Sequence, residues 1–201
     1  RERDVFRAGP AVVFEWADAA GWPIEYVSAN VEDVLGYAPE RLQSGEVTYA
    51  DLVHEDDLQE LTAEVADQRE TGDDRLTPDP YRVRTADGDV RWVLEHTRAL
   101  DDGDDSRLLG YLVDITERKR REHQLKQFKE AVERSAHAIY ITDAEGTIEY
   151  VNPAFEAVTG YSDDDAVGRT PHILNSGEHD EAYYEEFWET ILDGEQWESE
   201  I

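Results

Sequence analysis

The order of apolar and polar positions in one segment recurs 124 residues further along the chain. Residues 24–37 read IEYVSANVEDVLGY and residues 148–161 read IEYVNPAFEAVTGY, with eight of fourteen positions identical and no gap. Solenoid repeats span only ~20–50 residues, so a period of this length is that of a whole domain. The pattern therefore predicts two domains of one kind, each with a core of its own.

Both copies begin with the pattern of a β-hairpin. The segments at 14–16 and 139–141 are each followed by a Gly-containing turn and then by Ile-Glu-Tyr-Val, which predicts strand, turn and strand. A short helical piece follows in each copy. We expect it to end at Gly36 or Gly160, because glycine favours the left-handed conformation that closes a helix.

The first copy continues with a further helix and more strands. Acidic residues from Asp51 precede apolar residues at helical spacing, which predicts a helix. Strands are predicted at 81–85, 90–94 and 108–115, and polar loops at 71–80 and 101–105. The order β-β-α-α-β-β-β predicts an antiparallel sheet with short helices on one face, which is the α+β class.

Residues 117–135 have the character of a linking helix. This stretch contains no Gly or Pro, and Leu125, Phe128 and Val132 follow each other at spacings of three and four. Such a stripe is typical of a helix that packs against another element, but it is too short to establish a coiled coil. We expect the helix to leave the first domain and pack against the second domain or a partner chain.

The charge of the chain limits its partners. There are 49 Asp and Glu against 19 Lys and Arg, and the formal net charge is −30. An acidic surface repels nucleic acid and anionic membranes, so we expect neither as a partner. The basic run at 118–121 is interpreted as a solvated helix face. Acidic, lysine-poor composition resembles that of proteins from extreme halophiles, in which molar salt shortens the Debye length to ~3 Å and so screens self-repulsion. We therefore expect the chain to come from a halophilic archaeon.

Several kinds of chemistry have no residues to support them. The chain has no Cys, which removes disulfides, thiolate metal sites and cysteine nucleophiles. No apolar run reaches the ~20 residues of a membrane span, and no signal peptide is visible, so a cytoplasmic location is expected. The histidines show no spacing typical of a metal site. The chain starts at Arg1, and we expect it to be a fragment of a longer protein.

The motifs of both copies resemble the PAS family. In the first copy they are NVEDVLGY (30–37), DLVHEDDL (51–58), YRVRTADGDVRWV (81–93) and GYLVDITERKRRE (110–122), which together resemble a PAS domain with its PAC segment. In the second copy they lie at 138–161 and 168–201. We predict a PAS domain at 1–116, a linker helix at 117–135 and a second, C-terminally incomplete PAS domain at 136–201.

The resemblance implies a five-stranded antiparallel sheet cupped by short helices, with output through the last strand into the following helix. It further implies that Asp114, Ile115 and Thr116 couple the domain to that helix. The simpler interpretation is that Asp114 and Thr116 only cap the helix. The two roles are compatible.

The resemblance also implies a cup that holds a small molecule, a cofactor or only side chains. In the second domain, strand alternation and helix phase select the candidate pocket residues Tyr140, Thr142, Phe155, Ile173, Tyr184 and Trp188. Cysteine–flavin photochemistry is excluded because Thr170-Pro171 stands at the position of the reactive Asn-Cys. Non-covalent flavin remains open, haem at His179 is not favoured, and the aromatic stripe from Tyr184 also fits a filled core.

We interpret the chain as a sensory and signal-relay module of a two-component or transducer-like protein, with a histidine kinase as one candidate parent. Two alternatives stay open: the PAS region of a transcription activator, and a ligand-free dimerisation scaffold. A homodimer through the helix or the sheet is expected. No convergent nucleophile or acid/base set is visible, so no turnover is expected of the chain itself.

Overall fold

The structure is a computed structural model that describes residues 9–70, 74–102 and 105–175, together with positions 183, 186, 189, 190, 194 and 197. The chain divides into two compact units, residues 1–123 and residues 124–201. The prediction of two domains, each with its own core, is consistent with this division.

Unit 1 contains an antiparallel sheet whose first two strands are separated along the sequence from the other four by four helices. Its elements are β1 (Ala11–Ala17), β2 (Ile24–Val27), α1 (Val31–Leu35), α2 (Pro39–Gln43), α3 (Tyr49–Leu52), α4 (Glu55–Glu70), β3 (Arg75–Leu76), β4 (Tyr81–Arg84), β5 (Val90–Asp102) and β6 (Asp105–Asp114). The strand order is β2-β1-β6-β5-β3, and β4 also pairs with β5. A long helix, α5 (Thr116–Glu133), follows β6 and continues into unit 2.

The inner face of the sheet is set by the period-two alternation of β1. Val12, Phe14 and Trp16 are buried, while the residues between them are only partly covered. Phe14 and Trp16 stack with ring centroids 5.3 Å apart, and the ring of Tyr49 from α3 meets both edge-on. Aromatic pairs of this geometry contribute about 0.5–1.5 kcal/mol beyond the burial of their area. The apolar core of unit 1 therefore lies between the sheet and its helices.

The short helices begin and end where local chemistry requires. Helix α1 ends at Gly36, whose φ of 75° is the predicted left-handed C-cap. Helix α3 begins with a capping box in which the Thr48 side chain and the Asp51 carboxylate satisfy each other's backbone amides. Glu55, Asp56 and Asp57 open α4, where they complement the helix dipole.

Three local expectations for unit 1 differ from the structure. Four helices rather than two separate β2 from β3. The predicted loop at 71–80 contains the two-residue strand β3, because Leu76 is buried and pairs with Thr97. Strands β5 and β6 also extend into the predicted loop at 101–105, as far as the pair Asp102–Asp105. Continued ladder pairing satisfies the backbone there and outweighs the low strand propensity of Asp.

Unit 2 repeats the start of unit 1. Its described elements are β7 (Tyr140–Thr142), β8 (Ile148–Val151), α6 (Pro153–Thr159), α7 (Asp163–Ala166) and a 3₁₀ helix (Pro171–Leu174). Strands β7 and β8 form the predicted hairpin, and α6 ends at Gly160 with a φ of 79°. Ile148, Val151 and Phe155 form the core together with Ala166.

Candidate functional site

The end of the sheet in unit 1 is tied to the first turn of α5. Thr116 is buried, and its Oγ1 accepts a hydrogen bond of 2.9 Å from the amide of Trp92 on β5. The amide of Ile115 donates back to the carbonyl oxygen of Trp92 at 2.8 Å. Asp114 Oδ1 in turn accepts from the Thr116 amide at 2.8 Å. The three residues predicted to couple strand and helix therefore share one hydrogen-bonded junction with β5.

Charged groups surround this junction. Arg91 on β5 donates to Asp114 Oδ2 at 3.1 Å and forms an ion pair with it. The Lys119 ammonium of α5 lies 5.3 Å from the centre of the Trp92 ring, and the Arg82 guanidinium of β4 lies 5.8 Å from it. Cation–π contacts at partly exposed sites contribute about 0.5–1 kcal/mol each. Strand β5 thus contacts α5 through the hydrogen bond to Thr116 and the ring of Trp92, and it contacts the end of β6 through the ion pair with Asp114.

The other end of α5 is tied to unit 2 by Asn152, which is fully buried. Its Nδ2 donates to the carbonyl oxygen of Val132 in the last turn of α5 at 3.0 Å and to that of His137 at 2.9 Å. Its Oδ1 accepts from the amides of Ile139 at 2.8 Å and Phe155 at 3.0 Å. One side chain therefore links the end of α5, the entry to β7 and the start of α6.

Unit 1 has a related polar anchor next to the same hairpin. Ser28 Oγ accepts from the amide of Val13 at 2.8 Å and donates to Asn30 Oδ1 at 2.6 Å. The Nδ2 of Asn30 donates to the carbonyl oxygens of Gly9 and Ala11. In both units, then, a buried amide side chain after β2 or β8 fixes the segment that enters the first strand.

The interior of unit 1 contains a chain of polar groups inside the aromatic core. Tyr49 and Tyr81 have hydroxyl oxygens 2.5 Å apart, and the Tyr81 hydroxyl donates to Glu95 Oε2. Thr97 Oγ1 donates to Glu95 Oε1 at 2.5 Å. All four side chains belong to buried residues, and they come from α3, β4 and β5. A carboxyl group is thus held inside the sheet–helix core by two hydroxyl groups, one of which is bonded to the hydroxyl of Tyr49.

Burial shifts the pKa values of Glu95 and of the two tyrosines in this hydrogen-bonded network. Desolvation raises the pKa of Glu95 above its ordinary value, although the hydrogen bonds from Thr97 and Tyr81 act in the opposite direction. Desolvation and the nearby Glu95 carboxyl hold the pKa of Tyr81 and of Tyr49 well above the usual range. Both tyrosines are therefore neutral near pH 7, and the protonated form of Glu95 is favoured by its surroundings.

A small cavity adjoins Glu95. It measures about 20 Å³, which is room for one water molecule. Trp16, Tyr49 and Glu95 line it together with apolar residues from α4 and β6. The buried Nε1 of Trp16 has no hydrogen-bond acceptor among the residues that the structure describes. The cavity therefore brings together a buried carboxyl and a buried donor.

The predicted pocket residues of unit 2 lie in different surroundings. Tyr140, Phe155 and Ile173 belong to one apolar cluster, in which the rings of Tyr140 and Phe155 meet edge-on at 6.0 Å. Thr142 lies on β7 and is partly exposed. The remaining two, Tyr184 and Trp188, and also His179, lie outside the described residues.

Sequence reasoning missed two of these features. Glu95 stands between Val93 and Thr97 on the inner face of β5, and this position in the period-two pattern marks an acid that points into the core. Asn152 directly precedes Pro153, which is the arrangement of an N-cap before a helix that begins with proline. Both signals are present in the sequence, but the partners of these side chains lie on other elements.

Metal clusters and membrane-spanning helices are both absent from the described part of the chain. No cluster of three or more metal-binding side chains occurs there. None of the described helices is both long enough and apolar enough to cross a bilayer. The basic run on α5 has acidic neighbours, since Arg120 pairs with Glu117 at 2.7 Å and Arg118 with Glu122 at 3.5 Å.

Comparison with known proteins places both units. Models of the PAS fold match residues 24–112 and residues 126–200. The methyl sulfide methyltransferase-associated sensor of Methanosarcina acetivorans is 38% identical over 134 residues, which are 66% of this chain and 13% of that protein. The nitrogen fixation regulatory protein of Klebsiella pneumoniae is 37% identical over 70 residues, which are 35% of this chain and 14% of that protein. The chain thus spans about an eighth of the length of these relatives.

A solved structure shows the same architecture. The sensory box histidine kinase/response regulator from Burkholderia thailandensis is 29% identical, with a TM-score of 0.52 over 67% of this chain and 99% of that chain. An antiparallel sheet with short helices on one face and a helix after its last strand places unit 1 in the α+β class. The chain belongs to the PAS family and contains two PAS domains in tandem. PAS domains are sensory rather than catalytic.

Proposed function

We propose that this chain is the signal-relay region of a sensor protein, in which the state of the first PAS domain reaches the second through α5. The observation that carries the proposal is the attachment of α5 at both ends. Asp114 and Thr116 bond the first turn to unit 1, and Asn152 bonds the last turn to unit 2.

The helix is suited to transmit a small displacement. Its 18 residues extend about 27 Å at ~1.5 Å per residue. Because Thr116 and Asn152 are buried, loss of either attachment would leave polar backbone groups without partners. A shift of β5 against β6 therefore moves the first turn of α5 rather than detaching it. The interpretation of Asp114 and Thr116 as capping groups is compatible with this, since a cap that also bonds to β5 orients the helix.

The parent protein is a further part of the proposal. The similarity to a sensory box histidine kinase supports a two-component or transducer-like sensor. A transcription activator is the second candidate, and a ligand-free homodimeric scaffold the third. The predicted division at 1–116, 117–135 and 136–201, the small-molecule ligand in the second cup and the origin from a halophilic archaeon remain parts of the proposal.

Hydrogen exchange of the whole chain tests the relay. Thr116→Val removes the acceptor of the Trp92 amide with little change in volume, and about 1 kcal/mol of lost hydrogen bonding corresponds to roughly fivefold faster exchange there. Faster exchange is also expected along α5 and at the Ile139 amide that Asn152 holds. Thr62→Val is the matched control, because the Thr62 hydroxyl, within the described part of the chain, bonds only to the carbonyl oxygen of Leu58 on its own helix.

The positions of the amides that exchange faster in each variant decide the outcome. If Thr116→Val accelerates exchange at Trp92 but leaves every amide of 124–152 unchanged, the junction is a local cap and the relay proposal is wrong. If Thr62→Val produces the same pattern as Thr116→Val, the effect reflects general loss of stability and the proposal also fails.

A further inference from the structure

Among the described residues, Glu95 has hydrogen-bond partners but no charged partner. Its two carboxyl oxygens accept from Tyr81 and Thr97, and Tyr49 extends the chain to α3. The ion pairs in the described residues involve other carboxylates. A buried carboxylate is ordinarily paired with a cation or bound to a metal, since an isolated buried charge is strongly unfavourable.

The groups that face Glu95 do not supply a positive charge in its core. Helix α3 and strand β4 contribute the neutral Tyr49 and Tyr81. Helix α4 contributes Glu64, whose negative charge opposes ionisation of Glu95. The neighbouring His96 acts the other way, but its ring lies at a tilt against the ring of Tyr111, with centroids 5.2 Å apart, and Tyr111 is 42% exposed. The interior thus offers hydroxyl donors and a second acid to this carboxyl.

We propose that Glu95 is a proton-binding site through which the first PAS domain senses pH. With its proton, Glu95 is a neutral group that fits the aromatic core. Without the proton, a charge stands between Tyr81 and Thr97, beside a cavity with room for only one water molecule. The core must then admit water or a counter-ion, and the packing of β4 against β5 must change.

The position of Glu95 connects this event to the junction with α5. This inference rests on the proposed function. Glu95 pairs with Leu112 on β6, two residues before Asp114, and it lies three residues after Trp92 on β5. Tyr81, its donor, pairs with Val93 next to Trp92. A rearrangement of Glu95 and Tyr81 therefore acts on the same stretch of β5 that holds the first turn of α5.

The test is a pH titration of the whole chain between about pH 4 and pH 9 at constant salt, followed by tryptophan fluorescence and near-UV circular dichroism. Trp16 lines the cavity beside Glu95, so ionisation is expected to change its emission. We expect a one-proton transition with a midpoint above the range in which exposed glutamates ionise, because burial raises the pKa of Glu95. Glu95→Gln, the uncharged isostere, is expected to abolish it and to keep the low-pH spectrum throughout.

Glu25→Gln is the matched control, because it removes the same charge from an exposed position on β2. It is expected to leave the transition unchanged. The proposal is overturned if the transition persists in Glu95→Gln, or if the parent chain shows none above the ordinary glutamate range. Should Glu95→Gln fail to fold, the infrared C=O band of a protonated carboxylic acid decides. Persistence of this band in the parent chain above the pH range in which exposed carboxyl groups ionise supports the site, and its loss within that range overturns it.

The same titration followed by hydrogen exchange separates the two proposals. A Glu95 transition without any change at α5 or at the Asn152 anchor leaves the proton site intact and refutes the relay. A relay response to Thr116→Val without a Glu95 transition leaves the relay intact and refutes the proton site.

Discussion

The sharpest structural prediction concerns Asn152, because a single buried side chain holds three segments together. Asn152→Ala removes two hydrogen bonds donated by Nδ2 and two accepted by Oδ1, including the N-cap bond to Phe155. Each bond contributes about 0.5–1.5 kcal/mol, and loss of an N-cap residue alone costs about 1 kcal/mol. We expect a destabilisation of about 3 kcal/mol, because the backbone groups left behind can recruit water only partly.

Hydrogen exchange resolves where this free energy is lost. At ~1.4 kcal/mol per factor of ten, about 3 kcal/mol predicts exchange faster by roughly two orders of magnitude at Ile139 and Phe155, and more rapid opening of the last turn of α5. Asn30→Ala is the comparison, since Asn30, two residues after the position in unit 1 that corresponds to Asn152, holds the carbonyl oxygens of Gly9 and Ala11. We expect Asn30→Ala to accelerate amide exchange mainly in unit 1.

Two results would contradict the role of Asn152 as the anchor of these segments. One is exchange at Ile139 and Phe155 within a factor of three of the parent chain, which would show that these amides do not depend on the side chain. The other is an identical exchange pattern for Asn152→Ala and Asn30→Ala, which would show that neither anchor is local to its unit.

Three further predictions concern Gly110, Tyr81 and the salt concentration. Gly110→Ala should lower stability by about 1–3 kcal/mol in chemical denaturation, because the new methyl would meet Thr97 Oγ1 and lie 2.7 Å from the His96 carbonyl oxygen, whereas Gly9→Ala, with open space around it, should be neutral. Tyr81→Phe should shift the Glu95 titration to higher pH, because the Tyr81 hydroxyl lowers that pKa; an unchanged or lower midpoint contradicts this. Thermal stability should rise with KCl concentration at a net charge of −30, and a melting temperature independent of salt would contradict the proposed halophilic origin.

The sign of the pH effect on stability follows from the direction of the Glu95 shift. Burial raises the pKa of Glu95 in the folded state, so folding takes up a proton between the unfolded and folded values. The stabilising contribution is present below the unfolded pKa and is lost as pH rises through the folded pKa. Glu95→Gln should therefore gain stability relative to the parent chain as the solution becomes more alkaline.

The parts of the fold that the sequence predicts are those that depend on local patterns of residues. Hairpins at the start of both units and the C-caps at Gly36 and Gly160 depend on residues close in sequence, and the structure confirms them. The strand β3 was missed because its single buried residue, Leu76, is stabilised by pairing with Thr97, 21 residues away. Period and turn signals are not informative about such distant partners.

The candidate sites, too, were predicted only in part, because their partners lie far away in the sequence. Asp114 and Thr116 were selected through family resemblance, and their bonds to Trp92 and Arg91 required the register of β5 against the start of α5. Glu95 was overlooked because one acid among 49 acidic residues carries little weight in the sequence. Its environment appears only when α3, β4 and β5 converge on it. A buried carboxyl in a very acidic chain is thus recognised by its partners rather than by its residue type.

The ion pair at the junction with α5 and the neutral hydrogen bonds of this helix differ in their response to salt. The Arg91–Asp114 ion pair is partly exposed, so it contributes about 1 kcal/mol or less and weakens further as salt screens it. The bonds of Thr116 and Asn152 join neutral, buried groups, and salt has little effect on them. In concentrated salt the neutral bonds therefore hold α5 at both ends. Asp114→Asn should consequently alter the exchange of α5 in dilute buffer and lose most of that effect in molar KCl, whereas Thr116→Val should act equally in both.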